Sequence, residues 1–102
     1  MLELRPNCEL CDCDLPPESD QARICSYECT FCATCVDEVL MNVCPNCGGN
    51  FVPRPIRPSQ SRRSGPGLNV HPAGTKRRAS KRTSDERASL TTQLRDVAPN
   101  KR

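Results

Sequence analysis

A small metal-stapled α+β head followed by a disordered basic tail is the fold class that this 102-residue sequence predicts, on three observations. All nine cysteines lie between Cys8 and Cys47, all but two of the 15 Lys and Arg residues lie at Arg54 or later, and Pro, Ser and Arg dominate from the run VPRPIRP onward. The composition changes near Phe51 too sharply for one globular unit. The expected boundary therefore separates a head, residues 1–52, from a tail, residues 53–102.

Charge divides along the same line. Residues 1–50 carry 2 basic and 9 acidic side chains, net −7, whereas residues 51–102 carry 13 and 3, net +10. The overall +3 conceals a strong charge asymmetry.

The opening MLELRPNCEL has no basic start and no long apolar run, and no stretch approaches the roughly 20 apolar residues of a membrane span. The expected setting is cytoplasmic, without a membrane segment. In a reducing compartment, closely spaced cysteines serve as metal ligands more often than as disulfides, and nine thiols cannot all pair. A head this short, with few large apolar side chains, cannot build much of a core. Structural zinc supplies the missing stability in such domains, contributing on the order of 10 to 16 kcal/mol per site.

The spacings are Cys8-x2-Cys11, then Cys13, then Cys25-x3-Cys29-x2-Cys32-x2-Cys35, then eight residues, then Cys44-x2-Cys47. In a C-x2-C knuckle the tight turn lets two thiolates converge on one tetrahedral ion, while amides of the turn donate to the sulfurs. Setting Cys13 aside leaves eight ligands, enough for two all-thiolate sites and two Zn2+.

In its ligand order the head resembles a RING finger, with Cys29 where that family usually has histidine. CTFC, residues 29–32, matches the family's His-x-Phe-Cys step, and CPNC, residues 44–47, its Cys-Pro-x-Cys knuckle. The resemblance implies a treble-clef or RING-like cross-brace, in which alternate ligand pairs share an ion. Carried over, site one would be Cys8, Cys11, Cys32 and Cys35, and site two Cys25, Cys29, Cys44 and Cys47.

Other assignments stay open on the residues alone. Sequential pairing, as in LIM domains, would group Cys8, Cys11, Cys25 and Cys29, but eight residues between the last two pairs are few for an independent finger. The run from Cys29 to Cys44-Pro45 is similar to a ferredoxin cluster motif, yet its last spacing is eight residues instead of three. CPNCG alone resembles a rubredoxin knuckle and leaves the other cysteines unexplained. Cys13, flanked by Asp12 and Asp14, could replace Cys11, act as a reactive thiol, or stand spare.

Between the third and fourth pairs, Val36, Val39, Leu40 and Val43 at i, i+3, i+4 and i+7 predict a two-turn helix, with Asp37 and Glu38 in its first turn. Thr83-x-x-Glu86 reads as a capping box, and Leu90, Leu94 and Val97 predict a marginal helix over 84–97 that firms up only against a partner.

No enzyme is expected. His71 is the only histidine and has no carboxylate or cysteine close in sequence, and two closed four-thiolate sites leave no open metal position. The RING resemblance implies a ubiquitin ligase adaptor as one alternative. Leu10 and Pro45 match its contact surface, but the chain has no Trp and Gly48-Gly49 stand where a basic residue is common.

MLELRPNCE, LPP, CTFC and CPNCGGNFVPRPIRP together resemble a family of short cysteine-rich bacterial proteins known as a domain of unknown function. That resemblance covers residues 1–58 and implies a bacterial host.

For the tail, low apolar content predicts disorder, with Arg54-Pro55 and Arg57-Pro58 leaving the head as polyproline II. Lys76, Arg77, Arg78, Lys81 and Arg82 could each neutralise a phosphate, which makes nucleic acid one candidate partner. The same charges could instead solubilise the chain or hold the tail to its own acidic head. The leading expectation is a non-enzymatic zinc-binding module that mediates or regulates an interaction with a protein partner.

Overall fold

The computed structural model describes all 102 residues. Its centre is a three-stranded antiparallel sheet of order β2-β1-β3, with β1 at Ala22–Ile24, β2 at Thr30–Cys32 and β3 at Val52–Pro53. Ala22 faces Cys32 and Ile24 faces Thr30, so the β1–β2 hairpin closes through residues 25–29. β3 joins the opposite edge of β1, with Val52 facing Ile24.

Phe31 of β2 is fully buried and meets Phe51 edge-on, with ring centroids 5.4 Å apart. Leu15, Val36 and Leu40 complete the aliphatic part of this core, and the rest is largely cysteine.

The helix α1 spans Ala33–Glu38 and so starts and stops earlier than its apolar stripe predicts. Its N-cap is Cys32, whose sulfur accepts the Cys35 amide. The end comes where Met41 and Asn42 take left-handed backbone angles. That turn still buries Val36, Leu40 and Val43, while Val39 faces solvent. Asn42 then accepts the Phe51 amide at 2.8 Å through its side chain, tying the helix exit to the strand β3 approach.

The expectation of a disordered tail is corrected. From β3 onward the chain returns along the head, held by polar groups that an apolar count does not register. Arg57 donates to the carbonyls of Leu2 and His71, both at 2.8 Å. Residues 74–80 run alongside residues 4–9, with Gly74 N on Leu4 O and Ser80 N on Glu9 O. Between these, buried Asn7 imitates a strand neighbour: its Oδ1 accepts from Arg78 N at 3.0 Å and its Nδ2 donates to Arg78 O at 2.8 Å.

The second helix, α2, spans Ser84–Leu94 with the Thr83/Glu86 capping box closed in both directions, and ends three residues short of the expected 97. Leu94 and Leu90 lie over Gly48, where an added Cβ would meet Leu94 Cδ1 at 2.9 Å. Gly48 also has φ +78°, so this position both turns the last knuckle and admits the helix. A short 3-10 turn, Pro99–Lys101, brings Arg102 onto the carbonyls of Asn42 and Gly48.

Candidate metal centre

Three segments deliver cysteines to one end of the sheet. Residues 7–14 form a tight loop closed by an Asn7–Asp14 bridge and by Cys8 N donating to Cys13 O, with Asp12 in the left-handed region at φ 66°. This loop carries Cys8, Cys11 and Cys13. β2 ends in Cys32, and the first turn of α1 adds Cys35. The sulfurs of Cys8, Cys11, Cys13 and Cys32 all lie within 4.8 Å of one another.

Cys35 is outside that tightest group but close to it. Burial raises its pKa, followed by the effects of neighbouring Cys32, Cys8 and Cys11. Cys13, left without a set role by spacing alone, is inside the group. Its signal in the sequence was the Cys11-x-Cys13 step.

At the other end of the hairpin, the sulfurs of Cys25, Cys44 and Cys47 lie within 4.8 Å of one another. Cys29 is adjacent, since hydrogen bonding with Cys29 and then Cys44 is what draws Cys25 down to about 3. The same contacts, with Cys25 first, push Cys44 far above the ordinary thiol range. Cys25 and Cys44 are thus pushed in opposite directions by the hydrogen bonding between them, as expected of sulfurs packed this closely.

The donor set fits metal. An ion with Zn–S bonds of about 2.3 Å in tetrahedral geometry sets its sulfurs about 3.8 Å apart, and Cys11 Sγ and Cys32 Sγ are 3.8 Å apart. Backbone amides already point at the sulfurs: Leu10 and Cys11 at Cys8, Tyr27 at Cys25, Cys35 at Cys32 and Gly49 at Cys47, all at 3.4 to 3.5 Å. These are the donors that lower thiolate charge density in a knuckle. The two cysteine groups could therefore hold metal ions.

Side chains that spacing does not reveal hold the frame. Glu9 is buried and its Oε2 accepts from Thr30 N at 2.6 Å and from Arg5 Nη1 at 2.9 Å, pinning the start of β2 against the first knuckle. Arg77 of the tail grips both carboxylates beside Cys13, reaching Asp12 Oδ1 at 2.9 Å and Asp14 Oδ1 at 2.6 Å. Arg78 pairs with Glu3 at 3.1 Å. Two of the five basic residues offered for phosphate contact thus face the head's own acids.

The family described as "Protein of unknown function (DUF1272)" matches residues 1–57, which contain every cysteine. The chain belongs to that family. Within the DUF1272 segment fall both thiol groups, β1 to β3, and the two arginines, Arg54 and Arg57, that first turn the tail back. An uncharacterized protein of Rhizobium meliloti (strain 1021) is 54% identical over 77 residues, covering 76% of this chain and 84% of that protein. The aligned length exceeds the DUF1272 segment, so the likeness continues into the tail. No solved structure matches the chain. No helix is long and apolar enough to cross a membrane.

Proposed function

We propose that the chain is a non-enzymatic zinc-binding module in which two structural zinc ions hold an acidic head, cytoplasmic in setting, that engages a protein partner. The observation that carries this reading is the gathering of thiols from distant segments into two groups at opposite ends of one hairpin. The cross-brace division fits it best: Cys8, Cys11 and Cys32 with Cys35 nearby on one side, and Cys25, Cys44 and Cys47 with Cys29 nearby on the other. Sequential pairing would require Cys25 and Cys29 together to leave Cys44 and Cys47 for Cys8 and Cys11, although the Cys25 sulfur lies with those of Cys44 and Cys47. Native mass spectrometry of the full chain is expected to give two zinc ions per molecule; one ion, or iron, would sink the two-zinc reading.

The tail supports a regulatory element in that interaction. Its contacts beside the first knuckle are exposed ion pairs, Arg77 with Asp12 and Asp14, and exposed pairs weaken as salt shortens the Debye length from about 30 Å at 0.01 M to about 3 Å at 1 M. Cleavage by trypsin after Arg77 and Arg78 is expected to quicken several-fold across that range, after correction for the enzyme's own salt response. A rate unchanged by salt would mean that the backbone bonds at Arg78 and Ser80 alone hold the strap.

Nucleic acid remains the second reading, through Lys76, Lys81 and Arg82. It has less support because Arg77 and Arg78 are engaged by carboxylates. Ligase activity has least, since Pro45 is buried and shares a groove with α2.

A further inference from the structure

Four sulfurs lie within 4.8 Å of one another at one end of the hairpin and a fifth thiol, Cys35, stands close beside them, whereas a tetrahedral ion takes four ligands. Cys8, Cys11, Cys13 and Cys32 form the tight group, whereas cross-brace pairing supplies Cys8, Cys11, Cys32 and Cys35. Three sulfurs are common to both sets. The difference is Cys13, exposed on the knuckle loop, against Cys35, buried on α1.

Resting on the two-site reading above, we infer that site one has two interchangeable ligand sets, in which Cys13 and Cys35 alternate in the fourth position around a divalent thiophilic ion. The local architecture supports both states. Cys35 sits in the first turn of a helix whose cap is Cys32, so it stays beside the site whether bound or not. Cys13 is held toward the group from both sides: its carbonyl accepts the Cys8 amide at 2.9 Å, and Arg77 clamps Asp12 and Asp14 around it.

The exchange balances without any outside reagent. The incoming thiol releases its proton as its sulfur binds, and the departing thiolate takes one up, so the site stays four-coordinate on either side of the step and its net charge is unchanged. A spare ligand of this kind makes site one the exchangeable one of the pair. Site two draws on four cysteines and has no fifth.

The test uses the full chain loaded with cadmium, a spin-active stand-in for zinc. Cys13→Ser alters an exposed residue and is expected to fold; its site-one cadmium resonance should shift or sharpen as one ligand set is removed, while the site-two resonance stays put. Cys35→Ser should still bind two ions by native mass spectrometry, and the Cys13→Ser/Cys35→Ser double variant only one. Identical cadmium spectra for wild type and Cys13→Ser would overturn the exchange, as would loss of one ion from Cys35→Ser while its site-two resonance persists. Retention of two ions by the double variant overturns it as well. Should wild type itself bind fewer than two ions, the two-site reading fails together with this one, which separates that outcome from the rest.

Discussion

Chelating the metal from the full chain at neutral pH is expected to unfold the head. Half of its twelve-residue core cluster is cysteine, and the remainder is two phenylalanines, two leucines, one valine and one alanine. Without an ion those buried thiols are crowded polarisable groups that repel on ionisation. A structural zinc contributes on the order of 10 to 16 kcal/mol, which matches or exceeds the ~5 to 15 kcal/mol that keeps an ordinary domain folded. Circular dichroism and amide dispersion should collapse together and return when zinc is restored. A metal-free chain, verified by mass, that keeps its native spectrum would refute the role assigned to the ions.

Acid should act in the same direction. Binding requires thiolates, and the groups hold their protons unevenly: Cys25 is drawn down to about 3, whereas partial desolvation, then Cys11 and Cys32, push Cys13 up to about 12. Loading the sites therefore releases protons, and lowering the pH returns them and expels the metal. The loss should track metal release measured in parallel, since the competition is between proton and ion for the same sulfurs.

Replacing Arg54 by Met is expected to cost about 3 kcal/mol, from three charge-assisted hydrogen bonds each worth ~1.5 to 3 kcal/mol, less the desolvation recovered when the charge is removed. Arg54 is only 4% exposed and donates to the carbonyls of Arg5, Leu15 and Pro16 at 2.8 to 3.2 Å. Burial lowers its pKa. Its fork thus joins the N-terminal segment and the loop before β1 to the end of β3. Met fills similar space but leaves the carbonyls unpaired, so thermal unfolding of the zinc-loaded chain should drop by about 15 °C, given ~4 to 8 °C per kcal/mol for a domain of this size. An unchanged midpoint would show that water satisfies those carbonyls.

The cysteine spacings made a small α+β head with gathered cysteines legible because each knuckle is a local device, complete within a few residues. Cys32 lies in one thiol group with Cys35 beside it, and Cys25 in the other with Cys29 beside it. Three features were not legible. The tail's order comes from Arg54, Arg57 and Arg78 meeting backbone carbonyls and the Asn7 amide, contacts made across dozens of residues that leave no periodic trace. Cys13 joins Cys8, Cys11 and Cys32 on a loop where Asp12 takes a left-handed turn, a conformation that spacing does not specify. The helix α1 is shorter than its apolar stripe because the chain must reverse at Met41 and Asn42 to bring Cys44 back to Cys25.

The shortness of β2 has one further consequence. Three extended residues separate Cys29 from Cys32 by roughly 10 Å at about 3.3 Å each, whereas ions that share a bridging ligand sit about 3.5 to 4 Å apart. With an ion in each thiol group, the strand would act as a spacer that keeps the two electronically separate. Each should therefore fill and empty on its own, making a chain with one site loaded a genuine molecular species, folded at one end of its hairpin and slack at the other.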